Sequence, residues 1–135
     1  MNRWVDRVLE KKLRKNTSIG ILGLAYKDKT NSIKNSPAIE LIKKIKNNKI
    51  LGYDPLVKIK KINLNFNQTN DIKKVIKYSD IIILMTNWKN IKKIKNDFKN
   101  MNLKKKIILD PHGLLKSFIN KNFKEYFTLG EKIEL

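Results

Sequence analysis

Five short runs of apolar residues, none with the in–out alternation of a half-exposed strand, are the strongest constraint on this chain. They are Ile19–Leu22, Ile50–Tyr53, Ile81–Met85, Ile107–Leu109 and, more weakly, Tyr126–Leu129. A strand that is apolar at consecutive positions must be buried on both faces, which is the situation inside a parallel sheet. Helical patterns separate the runs. Ala38, Leu41, Ile42 and Ile45 keep the i, i+3, i+4, i+7 spacing, with Lys43, Lys44 and Lys46 facing outward. Ser36 and Pro37 supply a start signal, a capping hydroxyl followed by proline at the first helical position. Ile72, Val75 and Ile76 suggest a helix before the third run, and Ile91, Ile94 and Phe98 another after it. Strands alternating with helices predict βαβ units and an α/β, doubly wound parallel sheet of about five strands. Residues 2–14 read as a leading amphipathic helix with Trp4, Val5, Val8, Leu9 and Leu13 in one stripe, broken by Asn16-Thr17-Ser18. Residues 56–70 are the least defined, an irregular loop with a short strand at its middle.

The 135 residues are long enough for one domain with a real core. Without cysteine there is neither a disulfide framework nor a thiol nucleophile, and with a single histidine, His112, a transition-metal site built by this chain is not expected. No apolar run approaches the roughly 18–20 residues of a membrane span, and the amphipathic start does not read as a signal peptide. The expectation is a cytoplasmic soluble domain. The net charge of +19 admits a basic module for nucleic acid or another polyanion. Against it, 28 of the 31 basic residues are lysine, spread along the whole chain, and arginine, the better reader of phosphates and bases, is nearly absent. Lysine, isoleucine and asparagine make nearly half the chain, as AT-rich coding would produce. Nucleic acid is therefore the alternative partner rather than the expected one.

The first four runs end in Gly23, Asp54, Thr86 and Asp110. Open α/β sheets bind ligands beyond the carboxyl ends of their strands. From the first of these ends leaves a long polar loop carrying Lys27 and Lys34, and loops beyond about 12 residues are commonly functional or disordered. Lys27 and Lys34, the backbone around Gly23–Ala25 and the N-terminus of the Pro37 helix could cradle a phosphate. Other chemistries fail. Gly20 and Gly23, followed by Ala25, miss the dinucleotide spacing, and no Walker loop or Ser-His-acid set can be assembled. Asp54 and Asp110 are better read as turn or capping residues than as paired catalytic carboxylates, and Trp4 and Trp88 as packing residues.

The segment Leu22-Gly23-Leu24-Ala25-Tyr26-Lys27, then Thr30 and Ser36-Pro37-Ala38, resembles the opening of the C-terminal domain of the UDP-glucose/GDP-mannose dehydrogenase family. Gly52-Tyr53-Asp54-Pro55, Ser79-Asp80 through Thr86-Asn87-Trp88, and Leu109-Asp110 with His112 continue the resemblance in order over about residues 19–115. It implies a Rossmann-like domain, residues 16–135, holding a UDP-sugar or related nucleotide sugar, with residues 1–15 as the end of an interdomain, dimer-forming helix. Lys27 matches the family's motif lysine, expected near the phosphates or sugar, and Tyr26 replaces a phenylalanine and could line the nucleotide pocket. Lys34 stands at the family's loop arginine and His112 at another, so the substrate-binding expectation is Tyr26, Lys27, Lys34 and His112. Complete members oxidise the sugar C6 alcohol to a carboxylate in two NAD-dependent steps, using an N-terminal NAD domain and a catalytic cysteine. This chain contains neither, so no catalytic residue and no NAD binding are expected of it, and it reads as a gene fragment, one half of a split enzyme awaiting that N-terminal partner, or a decayed frame. An exposed Trp4/Val8 stripe would let it self-associate as a homodimer.

Overall fold

The computed structural model describes residues 2–59, 62–118 and 123–129. In chain order these form α1 (Asn2–Lys12), β1 (Ile19–Leu22), α2 (Pro37–Lys44), β2 (Ile50–Tyr53), β3 (Phe66–Gln68), α3 (Ile72–Tyr78), β4 (Ile81–Leu84), α4 (Lys92–Lys99), β5 (Ile107–Leu109), a 3-10 turn (Lys116–Phe118) and β6 (Glu125–Phe127). The strands join in one sheet, ordered β3-β2-β1-β4-β5-β6, and every neighbouring pair is parallel. This is the doubly wound architecture expected from the runs, with six strands rather than about five. The additional strand, β3, lies in the poorly defined 56–70 segment, of which residues 60 and 61 fall outside the described residues. It is three residues long, at the sheet edge, and only Phe66 of it is buried. An edge strand needs no continuous apolar run, so it left little trace in the sequence.

The register explains the isoleucines. Ile19 lies opposite both Ile50 and Ile81, and Ile81 opposite Ile107, so one row of branched side chains crosses the sheet. β-branched residues suit that pleated surface. Ile19, Ile21, Ile81 and Ile83 pack on one face under α1 and α2, while Leu22, Ile82, Leu84 and Ile108 pack on the other under α3 and α4. Both faces are covered, so both sets of positions are apolar. The local signals hold as well: Ser36 caps α2 with Pro37 at its first position, and Asp71 caps α3 by accepting from the Lys73 amide at 3.0 Å.

One expectation is overturned. The Trp4/Val8 stripe does not stand exposed: Val5, Val8 and Leu9 are buried in the same core as β1, β4 and β5, with Trp4 half-buried against it. The Asn16–Ser18 turn folds α1 back onto the sheet. There Lys12 pairs with Glu125 of β6 at 2.8 Å and lies over the Phe127 ring, and Asp6 pairs with Lys44 of α2 at 3.3 Å. The stripe therefore offers no free apolar face for self-association. Among the described residues no helix is long and apolar enough to cross a membrane.

Candidate functional site

All strands are parallel, so every carboxyl end lies at one edge of the sheet. The chain passes from β1 to one side for β2 and β3, then returns to the other side for β4, which makes the β1/β4 boundary the point where winding reverses. Gly23 leaves β1 there with φ +99°, and a Cβ on it would stand 2.2 Å from Thr86 Oγ1. Only glycine meets both the backbone angle and the contact.

Residues 23–36 then form the long loop, whose base is fastened on several sides. The Leu24 and Ala25 amides donate to Asp54 Oδ2 at 2.8 and 3.0 Å, while Asp54 Oδ1 accepts from the Leu56 and Val57 amides at 2.8 and 2.9 Å. Thr86 Oγ1 donates to the Ala25 carbonyl at 3.3 Å. At the far end Ser36 Oγ donates to the Leu24 carbonyl at 2.7 Å and accepts from the Ile39 amide at 3.4 Å. Farther out, the loop closes on itself through the Tyr26 amide and Ser32 carbonyl at 3.0 Å. Asp28 Oδ2 accepts from the Lys89 amide at 2.9 Å, tying the loop to the turn after β4.

Beneath the loop lies an open cleft of about 610 Å³. Tyr26, Lys27 and Lys29 come to it from the loop, Lys89 from the β4–α4 turn and His112 from the end of β5, with Pro37 at the start of α2. Of the four residues expected from the sequence, Tyr26, Lys27 and His112 line this cleft together. Lys34 does not: it is exposed farther along the loop. The cleft instead gains Lys29 and Lys89, which sequence reasoning missed. Lys89 follows directly on the quoted Thr86-Asn87-Trp88 motif, which was the available signal; Lys29 is one more lysine in a lysine-rich loop. Three ammonium groups face a single carboxylate, Asp28, so the cleft favours anions, and walls of protein concentrate that field. Partial burial pushes the His112 imidazole below its ordinary 6.5, with the Asp110 carboxylate pulling the other way.

Neither strand-end aspartate is free for acid–base work. Asp54 is saturated by four amides, as above. Asp110, fully buried, accepts from the Leu114 and Leu115 amides at 2.9 and 2.7 Å and from the Tyr126 hydroxyl. Both are turn-holding residues. A dinucleotide does not fit this edge either. It needs a tight glycine turn after β1, where residues 23–36 form a long loop, and a free acid at the end of β2 for its ribose, where Asp54 is fully engaged. Among the described residues no group of three His, Cys, Asp or Glu side chains is placed to hold a metal ion.

Fold and site together define the class: a Rossmann-type α/β domain with a lysine-lined cleft at its winding reversal. Residues 20–117 match the model of the UDP-glucose/GDP-mannose dehydrogenase family, UDP binding domain, and the chain belongs to that family. It is 32% identical over 126 residues to the UDP-glucose 6-dehydrogenase of Rickettsia bellii, covering 88% of this chain and 29% of that protein. It is 31% identical over 101 residues to the UDP-N-acetyl-D-mannosamine dehydrogenase of Pyrococcus horikoshii, covering 73% of this chain and 22% of that one. The solved UDP-glucose dehydrogenase of Pyrobaculum islandicum shares the fold with a TM-score of 0.70 at 20% identity, over 93% of this chain and 28% of its own. The chain thus spans less than a third of the length of these relatives.

Proposed function

We propose that the cleft holds the diphosphate of a UDP-sugar, and that the chain serves as the substrate-binding part of an NAD-dependent nucleotide-sugar 6-dehydrogenase. The observation that carries this reading is the convergence of Lys27, Lys29, Lys89 and His112 on one cleft at the β1/β4 boundary. Lys27 and its neighbours supply charge to the phosphates, the start of α2 adds its dipole, and Tyr26 offers an aromatic wall. Lys34 keeps a positive charge on the outer loop, outside the cleft.

In the parent reaction the sugar C6 alcohol becomes a carboxylate. NAD accepts the hydrides there, and since this edge does not fit a dinucleotide, NAD and the catalytic cysteine belong to another portion of the enzyme. α1 is then the end of the helix leading from that portion, and residues 16–135 are the nucleotide-sugar domain. The chain alone binds but does not oxidise.

Calorimetric titration with UDP and GDP at two salt concentrations tests the reading. Saturable one-to-one binding is expected, weakened about tenfold or more in Lys27→Ala and falling modestly with salt. Affinity for oligonucleotides that collapses with salt and ignores Lys27 would support the polyanion alternative instead.

A further inference from the structure

Three aspartates hold backbone amides at the carboxyl edge of the sheet, and one of them is unlike the other two. Asp54 and Asp110 are 3% and 0% exposed, and each closes its turn with both oxygens. Asp28 is half-buried, holds the Lys89 amide through Oδ2 at 2.9 Å, and stands in the wall of the cleft. It is the one carboxylate among the described residues of that wall, to which Lys27, Lys29 and Lys89 bring three ammonium groups.

The tie is weakly built on its loop side. Lys29, directly after Asp28, has φ +60°, a left-handed conformation that disfavours residues other than glycine, asparagine and aspartate. A backbone angle of that kind persists where neighbouring contacts impose it. Here those contacts are the Asp28–Lys89 bond and, across the loop, the bond from the Tyr26 amide to the Ser32 carbonyl at 3.0 Å. Letting go of Lys89 allows Lys29 to relax, so this single bond is surrendered more readily than the four amides at Asp54.

An amide just beyond a strand end, set among ammonium groups, is also what a phosphate oxygen binds. Carboxylate and phosphate are alike there, since both are anionic acceptors that take N–H groups and cations. In the ligand-free chain Asp28 fills that role.

We infer that Asp28 is an internal competitor for the diphosphate. It occupies the Lys89 amide and offsets the lysine charge of the empty cleft, and the entering phosphate displaces it. The inference rests on the proposed function. Displacement frees the loop from the β4–α4 turn, so ligand entry and loop movement are one event. A carboxylate left beside the bound phosphates repels them, which lowers affinity and shortens residence. A residue that merely positioned the lysines would have the opposite sign, because its removal would weaken binding.

The test titrates the 135-residue chain and its variants with UDP-glucose and with pyrophosphate. Asp28→Asn keeps an acceptor oxygen for Lys89 but not the charge. It should bind UDP-glucose about threefold or more tighter than the native chain, with a gain at least as large for pyrophosphate. Asp28→Ala, which removes acceptor and charge together, is the second variant should Asp28→Asn fail to fold, and should also tighten binding. An isotope-labelled native chain supplies a direct readout: the Lys89 amide resonance should shift as UDP-glucose saturates the cleft. Unchanged or weaker UDP-glucose binding in the folded variant, or a Lys89 amide resonance unmoved at saturation, overturns the competitor and leaves the cleft reading standing. A gain for UDP-glucose without one for pyrophosphate overturns it too, since the competition would then not be for phosphate. Binding of neither ligand by native chain or variant overturns the cleft reading and this inference with it.

Discussion

At the scale of single residues, one carboxylate decides the shape of the site. Asp54 cross-links the segments after β1 and β2 through four backbone amides while itself only 3% exposed. Asp54→Ala leaves those donors without a partner, and stability should fall by about 3 kcal/mol or more, read as a lower urea midpoint with the loop released from the cleft. His112 gives a pH signature of determinate sign. Its pKa is lowered by burial, so as pH falls through about 6.5 the unfolded chain takes up a proton before the folded one does. The free protein therefore loses a little stability on acidification, and His112→Gln should abolish that slope. A bound diphosphate acts oppositely, favouring the imidazolium. Affinity for a UDP-sugar, whose diphosphate diester keeps its charge across this range, should accordingly rise from pH 7.5 to 5.5 in the native chain and stay flat in His112→Gln, with calorimetry recording proton uptake.

At the scale of elements, the informative case is α1. Its apolar stripe was legible as a 3.6-residue pattern, but a pattern does not say what it covers. In the structure it covers this chain's own sheet, beside α2, with Leu9 5% exposed. Leu9→Ala should therefore cost about 2–4 kcal/mol in urea unfolding, whereas a stripe left outside the core would make the change nearly neutral. The ends of α2 read more simply. Its start was local information, a hydroxyl and a proline at adjacent positions, and Ser36→Ala should lower stability by about 1 kcal/mol while loosening the loop, because the same hydroxyl also holds the Leu24 carbonyl. The second of those bonds, twelve residues back in the chain, was beyond any local signal.

At the scale of the whole molecule, charge is the property that most invites misreading. The chain carries +19, and ion pairs such as Lys12–Glu125 and Lys44–Asp6 engage few of its cations. Most lysines are solvated on the outer faces of helices and in loops. A few converge on the cleft, and the fold selects them from a composition that gives no hint of which. Raising salt from 50 to 300 mM should weaken UDP binding by less than about tenfold, since few ammonium groups meet the ligand, while any oligonucleotide binding should fall by orders of magnitude. Parallel titrations of the two ligands measure that contrast.

The order and type of the elements, the edge strand β3 apart, were determined by the sequence alone. Runs such as Ile81–Leu84 can be satisfied only with both faces buried, and periodicity, caps and turn residues act over a few positions. The ordered motifs from Gly23 to His112 likewise identified the family before any coordinates, and with it three of the residues that meet in the cleft. The tertiary structure alone decided that Lys29 and Lys89 join them and Lys34 does not, that Asp54 also holds the Leu24 and Ala25 amides of the loop after β1, and that α1 folds onto its own sheet. The physical reason is common to all three. Each depends on which atoms from distant segments come within hydrogen-bonding or van der Waals reach, a relation between positions tens of residues apart that no local pattern of side chains encodes.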